Sequence, residues 1–254
     1  MAEWNRFRRR ATRPSDGPFY EIMTAMLGRI VRWCTQDPQI LQALRKAREE
    51  YATSRLSRQG RRQLEQLIPR HLFIHLGCGP DVRQGWINID LPIPQMGRPA
   101  TYIAYDLRKG LPLPNASCQM IYSSHFFEHL PYDIGVSLMR DCYRCLEPGG
   151  TFRATLPNFK SIFRAYLEND EAYFSLVPHE WLTTRTMPTA SLIDFVNWAV
   201  YQYGEHQCLW DEDKMIRVFK DIGFRRAEAA EFLSGIDVDS EIRRRYSFYV
   251  EGIK

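Results

Sequence analysis

The sequence lacks the features that mark a membrane-spanning or secreted protein. It contains no apolar run of the about 20 residues that a helix needs to cross a bilayer. Its basic start, residues 1–13, is not followed by the apolar stretch of a signal peptide. Internal repeats and low-complexity tracts are also missing. We therefore expect a cytoplasmic protein without a membrane span.

Cysteine is sparse, with six residues scattered over a chain too long to need disulfide staples. Cys142 and Cys145 form a CxxC pair, but no second pair completes a zinc site. Both lie in a segment with helical periodicity, where positions i and i+3 share a face. We expect two core-facing thiols, because free cysteine is among the most buried residue types.

The charge is unevenly spread, although the net value is only +4. Residues 1–70 hold 15 basic and 7 acidic side chains, whereas the remainder is net acidic. The arginines within Arg6–Arg13 form an arm able to contact nucleic acid, anionic lipid or an acidic glycan. We favour the alternative of a solvated face, because the other basic residues are spread along predicted helices.

The chain divides by its patterns into a helical extension, residues 1–70, and a larger domain, residues 71–254. In the extension, Pro18–Thr35 has amphipathic spacing, Asp37-Pro38 is typical of a helix start, and a short helix spans about Arg61–Leu67. The larger domain carries an aromatic-rich helical insert at about residues 158–210.

Short apolar strands alternate with helices after residue 70, which predicts a parallel α/β sheet covered on both faces. The predicted strands are His71–Leu76, Trp86–Leu91, Ala100–Asp106, Gln119–Ser124 and Thr151–Leu156, with a helix over Tyr132–Leu146. A helix capped by Asp211 and ended by Gly223 precedes two closing strands, Arg225–Phe232 and Arg245–Ile253. The alternation in the last of these predicts an edge or hairpin strand.

A glycine-containing turn follows the first predicted strand, in the segment LFIHLGCGPD. Gly77 and Gly79 lack side chains, so the backbone can turn sharply and approach a ligand closely. The third glycine of the dinucleotide fingerprint G-x-G-x-x-G is missing. This turn therefore suits a nucleoside better than a pyrophosphate cofactor and disfavours a dehydrogenase.

Two acidic residues end the next two predicted strands. Asp90 can accept hydrogen bonds from both hydroxyls of a ribose, and Asp106 can accept from an adenine amino group. Both fall at the carboxyl ends of strands, where ligands bind in open α/β sheets. The alternative for each is a helix or turn cap.

Five motifs in order resemble class I methyltransferases of the methyltransferase-11 type, over about residues 71–157 and weakly to residue 224. They are LGCG, GWINIDL, DLRKGLPL, IYSSHFFEHL and LEPGG. More closely, they look like a bacterial group of methyltransferases encoded with surface-polysaccharide or glycan biosynthesis enzymes. The resemblance implies a Rossmann-like, seven-stranded, mostly parallel sheet that binds S-adenosylmethionine across its first four strands.

The resemblance also implies a role for each residue of the cofactor site. His75, Gly77, Cys78 and Gly79 would surround the methionine moiety, Asp90 and Leu91 the ribose, Asp106 and Leu107 the adenine, and Ser123, Ser124 and His125 the transferable methyl group. The sequence departs from the commonest pattern in having His75 where an acid is frequent, and Pro80-Asp81 where a further glycine is frequent.

A hydroxyl acceptor adds the need for a base that works near neutral pH. The candidates are His125, Glu128, His129, His179, Glu180 and His206, of which we favour His206, with His125 second. His125 and His129 also have the i, i+4 spacing of metal ligands, but no third ligand is evident, so we expect no metal. The aromatic side chains of the insert can stack on sugars or bases, but such residues are more often core.

The sequence thus predicts methyl transfer to a small molecule or glycan, most simply to an oxygen atom. An RNA or protein methyltransferase docking through the basic arm is the second interpretation; nucleic acid is the less favoured partner. The third is a non-catalytic partner protein that keeps the fold. The oligomeric state stays open.

Overall fold

The computed structural model describes residues 53–67, 71–91, 101–183 and 190–254. The chain divides into two units, Met1–Ala52 and Thr53–Lys254, and all described residues belong to the second. The predicted helices at Pro18–Thr35 and after Asp37-Pro38, together with the basic arm, lie outside the described residues.

Seven strands form one sheet in the described part of the chain, as predicted. They are β1 (Leu72–Leu76), β2 (Ile87–Asp90), β3 (Tyr102–Ala104), β4 (Cys118–Ser124), β5 (Leu146–Pro157), β6 (Arg226–Ala230) and β7 (Ser247–Ile253). Their spatial order is β3-β2-β1-β4-β5-β7-β6. The first five strands pair in parallel and β7 is antiparallel to both of its neighbours. The sheet is therefore Rossmann-like and mostly parallel.

The central strands read as apolar runs because the sheet is covered on both faces. Ile74 and Leu76 of β1 and Ile121 of β4 are fully buried in the main core. Burial of each such side chain stabilises the fold by about 1.5–3 kcal/mol. Leu64 joins the same core from α1, a helix that covers residues 53–65. The boundary predicted at residue 70 stays a prediction, although α1 packs with the sheet.

Three further helices follow the predicted pattern. α2 (Tyr132–Cys145) connects β4 to β5 and buries both Cys142 and Cys145, which confirms the core-facing thiols. α3 (Phe159–Leu167) and α4 (Leu192–Tyr201) lie in the predicted insert, separated by turns. Their apolar side chains form a second core with Phe174 and Tyr246. Of the aromatic residues in the insert, some are thus core residues, whereas five are exposed: Phe163, Tyr166, Trp181, Tyr201 and Tyr203.

α5 (Glu212–Ile222) begins and ends where its end signals predict. The Asp211 carboxylate accepts from the Lys214 N–H at 2.7 Å, which satisfies a free donor of the first turn. Gly223 ends the helix at a φ of 115°, a left-handed conformation that glycine adopts without strain.

Two predictions of secondary structure need correction. The helix expected over about Arg61–Leu67 is found, but among the described residues it covers 53–65. The last strand was expected at an edge or in a hairpin. It is not an edge, because β7 lies between β5 and β6, but it pairs antiparallel with β6, the strand before it in the chain, which agrees with the hairpin alternative. A short helix, α6 (Glu241–Tyr246), occupies the start of the segment predicted as strand. Alternation of apolar and polar residues shows which side chains share a face of the strand. It does not show which strands become neighbours in the sheet.

A buried ion pair holds the segment between β6 and α6. Arg153 of β5 donates from Nε to Asp237 at 2.8 Å, and a second guanidinium nitrogen contacts the other carboxylate oxygen. Both side chains are almost fully buried. No helix of the described residues is long and apolar enough to cross a membrane.

Candidate functional site

A cleft of about 620 Å³ opens at the carboxyl ends of β1, β2 and β4. The chain passes from β1 to β2 and β3 on one side, and later to β4 and β5 on the other, so the strand order reverses beside β1. Ligands of open α/β sheets bind at this switch point. The volume is within the range of small-molecule sites.

The turn after β1 forms one wall of the cleft. The N–H groups of Gly77 and Cys78 donate to the Ile89 carbonyl, at 2.9 and 3.3 Å, which ties the turn to β2. Gly77 and Gly79 have φ values of 60° and 51°, which disfavour any residue with a side chain. A Cβ at Gly77 would lie 2.3 Å from the Phe126 ring, whereas one at Gly79 would meet no atom within 4 Å. Gly77 is needed for packing, and Gly79 keeps backbone exposed to the cleft.

Asp90, at the end of β2, faces the glycine turn. Its carboxylate accepts from the Gly79 N–H at 2.7 Å and from the Leu91 N–H at 2.6 Å. Each oxygen keeps a further lone pair, so the group can still accept two hydroxyl donors. Burial raises the pKa of Asp90, and the two N–H groups oppose that shift. Asp90 and Leu91 both line the cleft.

Asp106 has the alternative role that the sequence left open, because it caps a short 3₁₀ helix, Leu107–Lys109. Its carboxylate accepts from the backbone N–H of Arg108 at 3.2 Å and from the guanidinium at 2.8 and 3.0 Å. Asp106 and Leu107 still line the cleft. A role for Asp106 toward adenine stays a prediction, and Arg108 competes for the same oxygens.

Several buried polar atoms at this end of the sheet have no hydrogen-bond partner among the described residues. They include His75 Nδ1, Ser123 Oγ and Ser124 Oγ. His75 and Ser124 line the cleft, whereas Ser123 does not. Burial, with the nearby Arg83 charge, lowers the pKa of His75 to about 4, so its ring is neutral. Orphaned polar atoms in a cleft are what a bound polar ligand satisfies.

Cys78 also lines the cleft, with a buried thiol whose pKa burial raises. A thiol in this state is a poor nucleophile, because the reactive form is the thiolate. Cys78 therefore lines the cleft as a structural residue and not as a nucleophile.

His125 follows β4 directly, in a left-handed conformation with a φ of 50°. Such a backbone is strained in a non-glycine residue and is common at functional sites. The ring bonds through Nε2 to the Ser247 hydroxyl at 2.7 Å, and Nδ1 lies 3.4 Å from a Glu128 oxygen. Burial lowers the pKa of His125, so the imidazole is neutral and lines the cleft.

His206, the favoured base, is not among the residues that line the cleft. Its ring packs edge-on against that of His129, with centroids 4.8 Å apart, and His129 lines the cleft. Burial lowers the pKa of His206 to about 4. His179, another candidate base, is exposed in a turn and does not line the cleft.

The fold thus brings the predicted cofactor residues other than Ser123 to one cleft. Of the six candidate bases, His125 and His129 line this cleft, whereas Glu128, His179, Glu180 and His206 do not. Sequence reasoning missed four residues that come from distant segments: Gln202, Glu205, Val238 and Arg243. Glu205 lies in the GEHQ segment that the resemblance reached weakly. Arg243 had no signal, because an arginine on a short helix is ordinarily a surface residue.

Comparisons with known proteins agree with this geometry. Residues 86–154 match the family described as "Methyltransferase domain". This span contains Asp90, Asp106 and the segment from β4 to β5. No curated protein matches the chain.

Solved structures that resemble this chain do so at low sequence identity. A SAM-dependent methyltransferase from Archaeoglobus fulgidus is 16% identical, with a TM-score of 0.43, over 81% of this chain and 94% of that one. One from Mesorhizobium loti is 18% identical, with a TM-score of 0.41, over 74% and 94%. A third, titled a possible histamine N-methyltransferase from Thermotoga maritima, is 14% identical, with a TM-score of 0.42, over 84% and 97%. Likeness at this level carries no argument about the reaction.

The match over residues 86–154 supports the enzyme class expected from the sequence, a methyltransferase, and S-adenosylmethionine stays the expected methyl donor. The cleft fits this cofactor through its glycine turn, the spare acceptor capacity of Asp90 and the orphaned atoms of His75 and Ser124. The methyl acceptor is not decided by the match.

Proposed function

We propose that this S-adenosylmethionine-dependent methyltransferase methylates an oxygen atom of a small molecule or glycan. One observation supports this most: a cleft of about 620 Å³ is lined by the carboxylate of Asp90 and by the neutral imidazoles of His75 and His125. The cleft residues Gln202 and Glu205 follow α4 directly, beside the exposed rings of Tyr201 and Tyr203. Aromatic faces of this kind stack on sugars and other planar or apolar groups.

The cofactor supplies a methyl group already activated on a sulfonium. In this proposal, Gly79 lets the backbone reach the methionine part, Asp90 accepts from the ribose hydroxyls, and Leu107 packs against the base. Cys78, Ser124 and the neutral ring of His75 complete the cradle. These residues act by positioning, and good orientation alone lowers such a barrier by about 7–11 kcal/mol.

The protein's second task is to take the proton that the acceptor hydroxyl loses as its oxygen bonds to the methyl carbon. His125 is neutral and lines the cleft, so it is placed to accept this proton. His206 reaches the cleft only through the ring of His129, so a direct proton transfer to it requires the acceptor to pass that ring. We therefore assign the role of general base to His125. His206 supports the site by packing against the ring of His129.

Calorimetry with S-adenosylmethionine and S-adenosylhomocysteine tests the cofactor site. We expect micromolar binding, about −8 kcal/mol, by the wild type. Asp90→Asn should weaken it by 10-fold or more, because a hydrogen bond to a charged group contributes about 1.5–3 kcal/mol. Gly79→Val should abolish it by filling the cleft.

Matched controls separate site effects from general ones. Asp221→Asn removes an exposed carboxylate at the end of α5. Gly149→Val places the same side chain at another glycine with positive φ, 82°, and open space. Both should bind the cofactor like the wild type. Undiminished affinity in the Asp90 and Gly79 variants would remove the proposed site.

Acceptor screening comes next, with activated sugars and glycans first. Strong, salt-sensitive RNA binding would instead favour a nucleic-acid methyltransferase. Tight cofactor binding without turnover on any acceptor would favour the non-catalytic partner protein. A glycan-pathway role and a cytoplasmic location remain part of the proposal.

A further inference from the structure

The cleft wall holds a cluster that methyl transfer by positioning does not require. Glu128 and His129 lie in a 3₁₀ turn, Phe127–His129, after β4. His206 lies in the segment that follows α4. One ligand atom from each of the three residues lies within 4.8 Å of the others. The backbone fixes this meeting, because the N–H groups of Gln207 and Cys208 donate to the Glu128 carbonyl at 2.7 and 3.1 Å.

We propose that Glu128, His129 and His206 bind a divalent metal ion beside the cofactor cleft. The sequence spacing alone predicted no metal because a third ligand was missing. The fold supplies the third ligand, His206, from the segment that follows α4. Two imidazoles and one carboxylate form a frequent ligand set for zinc and for other first-row divalent metals.

The Glu128 carboxylate is an independent sign of a missing ligand. The residue is fully buried, and neither oxygen has a hydrogen-bond partner among the described residues. Its closest basic atom, His125 Nδ1, lies 3.4 Å away without hydrogen-bond geometry. A buried carboxylate without partners is costly, and native proteins pair such groups or use them to coordinate metals.

Both imidazoles are oriented as metal ligands usually are. His206 donates from Nδ1 to the Ala199 carbonyl at 2.8 Å, which leaves the Nε2 lone pair free to bind a metal. The backbone of Glu205 acts on the His129 ring and favours its protonated form, so this ring also has a carbonyl group near it. Carbonyl partners of this kind hold the ring and raise its basicity as a ligand.

Charges of both signs lie near the three ligands. Glu205 and Asp90 act on His129 as negative charges, whereas Arg243 acts on both His129 and Glu128 as a positive one. Metal–nitrogen and metal–oxygen bonds of about 2.0–2.2 Å require the three ligand atoms to approach one another to within about 4 Å. Small side-chain rotations close the difference. Nitrogen ligands favour zinc, cobalt, iron or manganese over calcium or magnesium.

Three protein ligands leave at least one position for a further ligand, as in catalytic zinc sites. Of the three ligands only His129 lines the cleft, so the site borders the cleft through His129. If the proposed function holds, the bound metal orients an acceptor oxygen and lowers the pKa of its hydroxyl group. The metal site itself does not depend on that function.

Cobalt(II) is the probe for this site, because its visible absorption reports nitrogen and oxygen coordination directly. The full chain is treated with a chelator, dialysed and titrated with cobalt(II), and metal content is measured by mass spectrometry. We expect equimolar binding by the wild type. Glu128→Gln and His206→Gln should each weaken it by at least 10-fold.

His71→Gln is the matched control, because this exposed imidazole lies at the other end of β1. It should bind cobalt(II) like the wild type. Circular dichroism melts check folding, and Glu128→Gln is an isosteric neutral change that should keep the fold. No equimolar binding by the wild type, or equal binding by the folded ligand variants, would overturn the site. Failure of cofactor binding in calorimetry would overturn the proposed function and leave the cobalt result standing.

Discussion

Replacing Asp237 by alanine should destabilise the protein by about 3 kcal/mol. Breaking a buried ion pair by removing one partner costs about 3–5 kcal/mol, because the other charge stays buried. Arg153, only 2% exposed, is that remaining charge. It keeps a bond to Glu251 at 2.7 Å and one to the Glu231 carbonyl at 2.5 Å, so we expect the lower end of the range.

Asp239→Ala is the control, because this residue forms an ion pair of similar length two positions along the same segment. Its contact with Arg244 is 2.6 Å, but the two side chains are 59% and 52% exposed. Exposed pairs contribute about 0–1 kcal/mol.

Urea unfolding of both variants and the wild type at pH 7 measures the difference. The double variant Arg153→Met, Asp237→Ala should recover part of the loss, because no unpaired charge remains. If Asp237→Ala and Asp239→Ala lose the same free energy of unfolding, the ion pair does not hold this segment as described.

Two further predictions concern the cleft. Gly77→Ala should lower the free energy of unfolding more than Gly79→Ala does. Both variants carry the left-handed backbone penalty of about 1–2 kcal/mol. Only Gly77→Ala adds a clash with Phe126, about 1–3 kcal/mol. Equal losses in urea would contradict the packing. His75 has a folded pKa of about 4, below its ordinary 6.5, so its contribution to stability should be complete above pH 6.5 and fall by about 3 kcal/mol as pH falls to 4. His125 and His206, whose pKa values are also lowered, add losses over the same range. His75→Gln should make the pH dependence shallower than in the wild type, and an unchanged slope would assign it to the other groups.

The sequence predicted that the glycine turn and Asp90 lie together at one edge of the sheet, because their signals are local. Gly77, Gly79 and Asp90 each follow a strand directly, and parallel strands bring such residues to the same edge of a sheet. The ends of α5 were predictable for the same reason, since Asp211 and Gly223 satisfy backbone groups of their own helix.

The part of the cleft formed by Gln202, Glu205, Val238 and Arg243 was harder to predict, because it depends on contacts between distant segments. Arg243 and Val238 reach the cleft only because β7 enters the sheet beside β5, which no periodicity encodes. The meeting of His206 with Glu128 likewise depends on backbone bonds between two loops. Asp106 illustrates a different limit, because an acidic residue at the end of a strand can accept hydrogen bonds from a ligand or from the turn that follows. In this protein its carboxylate accepts from Arg108 of the turn.

The interior position of β7 has a consequence for how the protein is made. On the ribosome, every other strand of this sheet is synthesised before β7, so the free edge of β5 waits for a neighbour, and β6 has none of the described strands to pair with. Such an edge is open to mispairing with other chains. The same late strand delivers Ser247 to His125. A nascent chain therefore completes this wall of the cleft only after β7 has joined the sheet.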